Sequence, residues 1–398
     1  MKPVITSDVV VCGGGTAGLA AALAAARQGS RVCVVEEDAA IGGAPTDMYI
    51  QLFCGKPFQG ILWELKEKMK EYGVYYQESS FRHSAYLLAY QEFFRGLPVE
   101  FYTRQRIRSV RTEDGRITAV ETADFRYEGK LFLDCTGDGD VAALAGCPFR
   151  YGREAASEFG EEFAPDRPDR AVQRCTLMYT VKWDPSVPHQ GPPHPLSPFD
   201  GEESLIWGPT VVCEDTTSET ALARAHAEAL AMLPQHVQKW KERGCYITSV
   251  APKLGVRESR RIEGLHILSF RDIKDRHTFP DSICVVNYNI DPWDPSGNPQ
   301  GTPEGKKRTF MPDYEIPYRC LVNRRIDNLI VAGRCISATH VANSSLRVMG
   351  IAIPLGQAAG NAAHLAATAG CAAREVDTGA LRELQRRGGI RVSLDERV

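Results

Sequence analysis

Three glycines and one glutamate near the start of the sequence are residue types whose spacing could serve the binding of a ligand. Gly13, Gly15 and Gly18 follow the run VVVC and precede an alanine-rich stretch, and Glu36 ends the next apolar run. The first glycine permits a tight turn, the second lets the backbone approach a pyrophosphate, and the third lets a helix pack closely on a strand. The Glu36 carboxylate would accept hydrogen bonds from ribose hydroxyls and repel a 2′-phosphate. Together they predict a dinucleotide site that disfavours NADP.

These residues need a strand, a turn, a helix and a second strand to position them. Residues 9–26 carry no charge, which is also typical of a membrane span. The β-branched run VVVC favours a strand, and three consecutive glycines would interrupt a continuous helix. We therefore predict a buried strand followed by a buried helix, and no membrane segment.

Further glycine-rich segments lie later in the chain. They are Gly42 and Gly43 in IGGAPT, Thr136, Gly137 and Asp138 in LFLDCTGDGDVAALAG, and the run LIVAGRCISATH from residue 329. The last two again have the pattern of a strand followed by a glycine turn. An NAD dehydrogenase needs one nucleotide-binding unit, whereas an extended FAD needs contacts from distant parts of the chain. These segments therefore favour FAD over NAD.

Four segments also resemble a known family. They are TGDGDVAALAG at 136–146, GVRESRRIEG at 255–264, IPYRCLV at 316–322 and NLIVAGRCISATHVANSSLRVMG at 328–350. With the first glycine motif, they are similar to FAD-dependent oxidoreductases of the glutathione-reductase-like superfamily, most closely the bacterial family related to the flavin subunit of heterodisulfide reductase. The resemblance covers nearly the whole chain. Family members usually carry a histidine within residues 289–297, where this chain has none, so that role does not transfer.

The resemblance implies positions for several residues. Gly333 and Arg334 would lie at the flavin diphosphate or ribityl chain, and Asp138 would be a further contact. A helix beginning near Gly356 and Gln357 would direct its N-terminus at the flavin pyrimidine oxygen. The full set of predicted cofactor-binding residues is Gly13, Gly15, Thr16, Ala17, Gly18, Glu36, Glu37, Gly42, Gly43, Thr136, Gly137, Asp138, Gly333, Arg334, Gly356 and Gln357.

Two arginines in a dense positive segment are candidates for substrate binding. Arg257 and Arg260 carry guanidinium groups, which suit the binding of a carboxylate or enolate oxygen. Their spacing of three places both on one face if the segment is helical. Structural ion pairs with Glu258 and Glu263 are the alternative.

Three other residues are candidates for the reaction itself. His340 lies in the segment expected to pass the flavin ring, where it would be a general acid or base, or else a hydrogen-bonded loop histidine. Arg347 resembles the substrate arginine of fumarate-reductase-like flavoproteins, although its spacing from His340 differs. Cys54 would be a redox thiol over the flavin, but no CxxC or CxxxxC pattern supplies a partner for dithiol chemistry.

Length and composition set the broad class of protein. The 398 residues are 43% hydrophobic and 24% charged, and the net charge of −3 gives no general attraction to nucleic acid or anionic lipid. The twelve cysteines include no CxxC pair, which favours reduced thiols in a cytoplasmic protein and excludes the usual ligand runs of iron–sulfur and zinc sites. We expect a small-molecule partner and no metal.

The motif positions predict an α/β fold with an insertion. The FAD-binding domain would be Rossmann-like, with a parallel sheet, flanking helices and a β-meander over residues 99–127. Pro234 is predicted to begin a new helix within the insertion. The predicted parts are a discontinuous FAD-binding domain (1–150 and 316–375), an inserted α+β substrate or cap domain (151–315) and a C-terminal tail (376–398).

The sequence thus predicts an FAD-dependent oxidoreductase that transfers a hydride between flavin N5 and a small organic substrate, either anionic or carbonyl. The alternative is a flavin-carrying electron-transfer subunit that docks on a redox partner. That partner would have to supply the iron–sulfur clusters, because this chain has no CxxCxxC run. The sequence leaves open the substrate, the direction of reaction, the oligomeric state, and whether NAD(P)H or a protein exchanges electrons with the flavin.

Overall fold

The computed structural model describes residues 2–76, 80–194, 197–295 and 311–396. The strands are β1 (Val4–Cys12), β2 (Val32–Val35), β3 (Tyr75–Tyr76), β4 (Ser80–Phe81), β5 (Val99–Tyr102), β6 (Ser109–Glu113), β7 (Arg116–Glu121), β8 (Arg126–Asp134), β9 (Phe149–Arg150), β10 (Cys175–Trp183), β11 (Glu203–Val211), β12 (Cys245–Val250), β13 (Arg261–Ile262), β14 (Ser282–Val286), β15 (Tyr314–Pro317) and β16 (Leu329–Val331). The helices are α1 (Thr16–Arg27), α2 (Ala44–Asp47), α3 (Ile61–Glu71), α4 (His83–Phe93), α5 (Asp140–Leu144), α6 (Ala156–Phe159), α7 (Glu219–Glu242), α8 (Phe270–Lys274), α9 (His340–Leu346), α10 (Met349–Ala369) and α11 (Thr378–Arg387).

The largest sheet has a parallel part in the order β5, β2, β1, β8 and β16. Val9 of β1 lies opposite Val32 on one side and Leu131 on the other. The strand residues Val9–Cys12 are fully buried, as expected for a strand covered on both faces. This arrangement confirms the predicted α/β fold and places the carboxyl ends of β1, β8 and β16 side by side.

The β-meander consists of β6, β7 and the start of β8. Asp114 and Gly115 form the turn between β6 and β7, and both have positive φ angles. The prediction that the meander begins at residue 99 was wrong, because β5 joins the parallel sheet beside β2 instead. Phe101 of β5 packs edge-on against Phe94 at the end of α4, which holds this strand at the sheet edge.

Helices α1 and α10 pack against each other through small residues. A side chain at Gly356 would overlap the Ala17 carbonyl, and one at Gly360 would overlap the Ala21 carbonyl. The alanines of α1 are buried, so this uncharged stretch is an interior helix. No helix in the described part of the chain is long and apolar enough to cross a membrane.

The inserted region contains an antiparallel sheet in the order β11, β10 and β12. Helix α7 packs on this sheet through Ala221, Ala225 and Ala229. The prediction that Pro234 begins a new helix was wrong, because α7 runs without a break past this residue. Pro234 has no N–H to donate to the Leu230 carbonyl, and the helix continues past it on a side of α7 where Leu230 is exposed.

The segments after the inserted sheet return to the main core. Leu268, Phe270 and Ile283 pack in the same hydrophobic cluster as α1 and α10. Near the C-terminus, Val392 is fully buried and the Arg391 carbonyl accepts a hydrogen bond from the Val285 N–H. The division at residues 150, 315 and 375 stays a prediction, and this packing favours an earlier end for the inserted part.

Candidate functional site

The first glycine turn is built so that only glycine fits at its start. Gly13 has a φ of +99°, and a Cβ atom there would lie 2.5 Å from the Cys135 carbonyl oxygen. Its N–H donates to the Val35 carbonyl at 2.8 Å, which connects the turn after β1 to the end of β2. Thr16, Ala17 and Gly18 follow in the first turn of α1, so the N-terminus of a long helix opens toward this turn.

The acid predicted to bind ribose lies directly beside the turn. Glu36 Oε2 accepts a hydrogen bond from the Gly14 N–H at 2.6 Å, and Oε1 accepts one from the Asp38 N–H at 2.8 Å. Burial raises the pKa of Glu36 to about 7, although both N–H donors lower it. Glu37 points to a different partner, the Lys253 ammonium, at 3.2 Å.

The second predicted segment forms a turn at the end of β8. Thr136 Oγ1 donates to Asp134 Oδ1 at 2.7 Å, and the Ala142 N–H donates to Asp134 Oδ2 at 2.8 Å. Burial raises the pKa of this fully buried Asp134 to about 6. Sequence reasoning missed Asp134, which fixes the shape of the turn that carries Gly137 and Asp138.

The third segment meets the second through an ion pair. Arg334, after β16, has its Nη2 atom 3.0 Å from Asp138 Oδ1. Its Nη1 atom is buried and has no hydrogen-bond partner among the described residues. A buried guanidinium donor without a partner is suited to an anionic ligand such as a phosphate. Gly333 precedes it, close to Ala17 of α1.

A cavity of about 380 Å³ lies where these segments meet. Its wall includes the predicted residues Gly13, Gly15, Glu36, Glu37, Gly43, Thr136, Asp138 and Arg334. Gly42 lies in the adjoining turn, where its N–H donates to the Gly14 carbonyl at 2.9 Å. The wall also includes residues that sequence reasoning missed, among them Arg106, His226 and Lys253. The acid, the glycine backbone and the Nη1 donor of Arg334 fit the ribose and diphosphate of a dinucleotide.

The helix predicted to start near Gly356 and Gln357 begins seven residues earlier, at Met349. Both residues therefore lie inside α10, and the prediction that they mark its N-terminus was wrong. Gln357 Oε1 accepts from the Ile61 N–H at 3.0 Å, and its Nε2 donates to the Gly388 carbonyl at 3.1 Å. Burial of the apolar first turns of α10 explains why Pro354 does not prevent the earlier start.

His340 is held by a buried carboxylate. Its Nδ1 atom lies 2.8 Å from Glu258 Oε2, and its backbone N–H donates to Glu154 Oε2 at 2.9 Å. Burial raises the pKa of Glu258, but His340 and Arg261 outweigh it and hold this pKa below its usual value. Glu258 is fully buried and ion-pairs with Arg261. Sequence reasoning had weighed Glu258 only as an ion-pair partner of the arginines.

Arg257 and Arg347 belong to a second group, which we call the arginine cluster: Arg257, Arg347, Asp291 and Trp293. The Arg257 guanidinium stacks over the Trp293 ring, 3.8 Å from its centroid. Arg347 Nη2 donates to the Asp291 carbonyl at 3.0 Å and lies 3.4 Å from Asp291 Oδ2. Burial, and then the charge of Arg347, lower the pKa of Arg257 to about 9, so it is still cationic at pH 7.

Gln173, which was not predicted from the sequence, links the arginine cluster to the pair formed by His340 and Glu258. Its Oε1 accepts from Arg347 Nε at 3.0 Å, and its backbone N–H donates to Glu258 Oε2 at 3.0 Å. Gln173 is 1% exposed, and its Nε2 has no hydrogen-bond partner among the described residues. A buried amide donor is thus available beside Arg347.

Arg260 does not lie beside Arg257 as the sequence suggested, and Cys54 lies at another place again. Residues 257–260 are not helical, so Arg257 and Arg260 do not share a helix face. Arg260 donates to the Asp138 carbonyl at 2.9 Å, on the cofactor side. Cys54 is half-buried, and its carbonyl accepts from the Gly350 N–H at 2.8 Å at the start of α10.

The described residues contain neither a disulfide nor a cluster of metal ligands. None of the twelve cysteines, all of which lie in the described part of the chain, forms a disulfide. Among the described residues, no group of three or more histidine, cysteine, aspartate or glutamate side chains could hold a metal ion.

A parallel sheet whose carboxyl edges converge on one nucleotide-sized cavity is the architecture of dinucleotide-binding proteins. The chain belongs to the FAD dependent oxidoreductase family, whose model matches residues 8–387. The protein is therefore an FAD-dependent oxidoreductase, and FAD is its cofactor. No curated protein sequence matches the chain.

Several solved structures are similar to this chain at low sequence identity. A geranylgeranyl bacteriochlorophyll reductase-like protein from Thermoplasma acidophilum is 10% identical, with a TM-score of 0.46, over 96% of this chain and 83% of that chain. The p-nitrophenol 4-monooxygenase PnpA from Pseudomonas putida is 14% identical, with a TM-score of 0.40, over 97% and 85%. Thioredoxin reductase from T. acidophilum is 21% identical, with a TM-score of 0.23, over 32% of this chain and 34% of its own length. No statement about substrate or reaction rests on these likenesses.

Proposed function

We propose that the protein passes a hydride between flavin N5 and a small organic anion bound at the arginine cluster. Bound FAD supplies a two-electron acceptor or donor at N5. The observation that carries the proposal is the position of Gln173, which bonds Arg347 through its side chain and Glu258 through its backbone. A cationic group for the substrate and the carboxylate that holds the proton-transfer histidine therefore meet at one buried residue.

The cofactor would be held by the three converging segments. Glu36 would accept hydrogen bonds from the adenosine ribose, since its carboxylate lines the cavity beside the glycine turn. The Gly13 turn, the Thr136 turn and Arg334 Nη1 would contact the diphosphate, because they offer backbone N–H groups and a buried cationic donor that has no hydrogen-bond partner among the described residues.

The arginine cluster would bind the substrate. Among the described residues of the cluster, Arg257 and Arg347 carry two positive charges and Asp291 carries one negative charge, so a carboxylate or enolate oxygen would restore the balance in a largely buried site. Gln173 Nε2 offers an additional donor to such an oxygen. Because Arg257 is protonated at neutral pH, the cluster stays cationic there.

His340 would hold or accept the proton that accompanies hydride transfer. The lowered pKa of Glu258 keeps it ionised, and an ionised carboxylate can only accept. His340 must therefore donate from Nδ1, which leaves Nε2 as the nitrogen that gains or loses a proton. Glu258 acts through the histidine, as the residue that fixes its tautomer and ring orientation.

Anaerobic flavin bleaching tests this function. The holoprotein would be mixed with short hydroxy acids and saturated carboxylic acids, each paired with its amide, and the dithionite-reduced protein with unsaturated and keto acids. We expect at least one acid to change the flavin oxidation state without any other protein, and its amide to be much slower. Equal rates for acids and amides would contradict the anionic substrate. Flavin reduction or oxidation that occurs only when a redox protein is added would support the electron-transfer subunit instead.

A further inference from the structure

One face of α7, in the inserted region, lines the same cavity as the glycine turn. Glu219, Leu222, Ala223 and His226 are all part of the cavity wall. Their spacing of three, one and three residues places them on one side of the helix. The buried alanines of α7 lie on another side, against the antiparallel sheet. The helix thus contacts the inserted sheet and the cofactor cavity at once.

His226 has an unusual environment for a histidine on a surface helix. Its Nε2 atom is buried and has no hydrogen-bond partner in the described parts of the chain. A buried polar atom of this kind is stabilised when a ligand supplies the missing partner. His226 lines a cavity whose wall also holds Glu36, so the AMP half of a bound FAD would be the nearest candidate for this partner.

Ion pairs connect α7 and its neighbours to the strands of the nucleotide-binding sheet. Arg106, after β5, pairs with Glu219 in the first turn of α7 and lies 3.6 Å from Glu37. Lys253, after β12, pairs with Asp38 at 2.5 Å and with Glu37 at 3.2 Å. These pairs join the two sides of the cavity near Glu37 and Asp38.

We infer that α7 is a cover for the AMP half of FAD, with His226 as a hydrogen-bonding contact and the Arg106–Glu219 and Lys253–Asp38 pairs holding the cover closed. FAD then leaves only when the inserted region moves away from the nucleotide-binding sheet. The inference concerns cofactor retention, so it does not depend on the proposed hydride transfer.

The rate of FAD release tests the contact. Holoprotein would be diluted and the rise in free FAD fluorescence followed for wild type, His226→Ala, His226→Gln and the control Arg224→Ala, an exposed residue of the same helix that pairs with Glu214. Loss of one hydrogen bond predicts release about 3- to 10-fold faster in His226→Ala. We expect partial recovery in His226→Gln and no change in Arg224→Ala.

Binding of ADP to the FAD-free protein locates the effect on the cofactor. By calorimetry, His226→Ala should weaken ADP binding by a similar factor, because ADP contains the AMP half and the second phosphate of FAD but no riboflavin. The inference would be overturned if both His226 variants released FAD at the wild-type rate and bound ADP with the wild-type affinity. So would a change in FAD release with unchanged ADP affinity, since His226 would then act elsewhere.

Salt dependence tests the cover. Exposed ion pairs are screened by salt, so wild-type FAD release should be faster in 1 M than in 0.05 M sodium chloride. Glu219→Gln should release FAD about twofold faster at low salt and depend less on salt, whereas Glu228→Gln, an exposed acid of the same helix, should behave as wild type. Identical release and salt dependence in the two glutamine variants would overturn the closing role of the pairs.

Discussion

The cofactor cavity and the arginine cluster are held together by different forces. The cavity is formed by short turns at the carboxyl ends of neighbouring parallel strands, and its shape depends on backbone contacts such as that between Gly13 and Cys135. The arginine cluster and its neighbour His340 instead depend on charged and amide side chains from loops, joined by hydrogen bonds over long sequence separations.

This difference predicts two kinds of response to mutation. In the cavity, added volume should be most damaging, because backbone cannot move aside. Around Glu258 and Arg347, loss of charge should be most damaging, because removal of one buried ion leaves the charge of its partner uncompensated. The predictions below separate these responses, beginning with the largest expected effect.

The first prediction concerns volume at the glycine turn. Gly13→Ala should reduce FAD affinity at least 100-fold, because its Cβ would lie 2.5 Å from the Cys135 carbonyl oxygen at a strained positive φ. Gly29→Ala is the control, since Gly29 has a similar φ of +97° but nothing within 4 Å of an added Cβ. The Gly29→Ala variant should lose about 1 kcal/mol of stability and still bind FAD. Equal FAD content in the two purified variants would contradict the steric account.

The second prediction concerns charge at the buried carboxylate. Glu258→Gln should lower the free energy of unfolding by about 3 kcal/mol, because Arg261 and His340 lose a buried ionised partner. Glu263→Gln is the control, since this carboxylate is one-third exposed and lies 3.4 Å from Arg150. Its expected effect is below about 1 kcal/mol. Urea unfolding measures both, and similar losses would show that burial of the charge is not decisive.

The third prediction is the pH dependence of FAD binding, a smaller effect. The pKa of Glu36 is raised to about 7, and its ionised form is the better acceptor for ribose hydroxyls. The ionised fraction falls from roughly nine-tenths at pH 8 to one-tenth at pH 6, so affinity should fall up to roughly tenfold as the pH is lowered.

Titration of the FAD-free protein at both pH values measures this effect. In Glu36→Gln the affinity should be lower at pH 8 and nearly constant between the two values, since the amide does not titrate. A wild-type affinity that does not change with pH would contradict the assignment of Glu36 to the ribose.

The glycine turns in the cavity wall could be predicted from the sequence because each of them is local. The strand, the glycine turn and the acid around Gly13 and Glu36 lie within 24 residues of each other, and the turns after β8 and β16 repeat the same strand-to-glycine pattern. Strands of one parallel sheet end at the same edge, so these separate patterns meet in space without further information.

The arginine cluster could be predicted only in part. Arg257, Arg347 and His340 were identified by residue type or resemblance, but Gln173 lies in a segment without a recognisable pattern. Asp291 lies in the segment 289–297, which the resemblance marked only by its missing histidine. Their contacts join residues 56 to 174 positions apart, and no periodicity encodes such pairing. The start of α10 was misplaced for a related reason, since burial by tertiary packing overrides the local effect of Pro354.

The most direct test of the account compares FAD content with substrate affinity in Arg347→Gln, beside Arg347→Lys. Anaerobic flavin bleaching by the best acid of the panel gives the Kd of that acid, and absorbance after purification gives the FAD content. We predict wild-type FAD content in both variants, a Kd about 100-fold higher in Arg347→Gln, and partial recovery in Arg347→Lys. An unchanged Kd, or loss of FAD in parallel with loss of bleaching, would contradict the separation of a cofactor cavity from a substrate-binding arginine cluster.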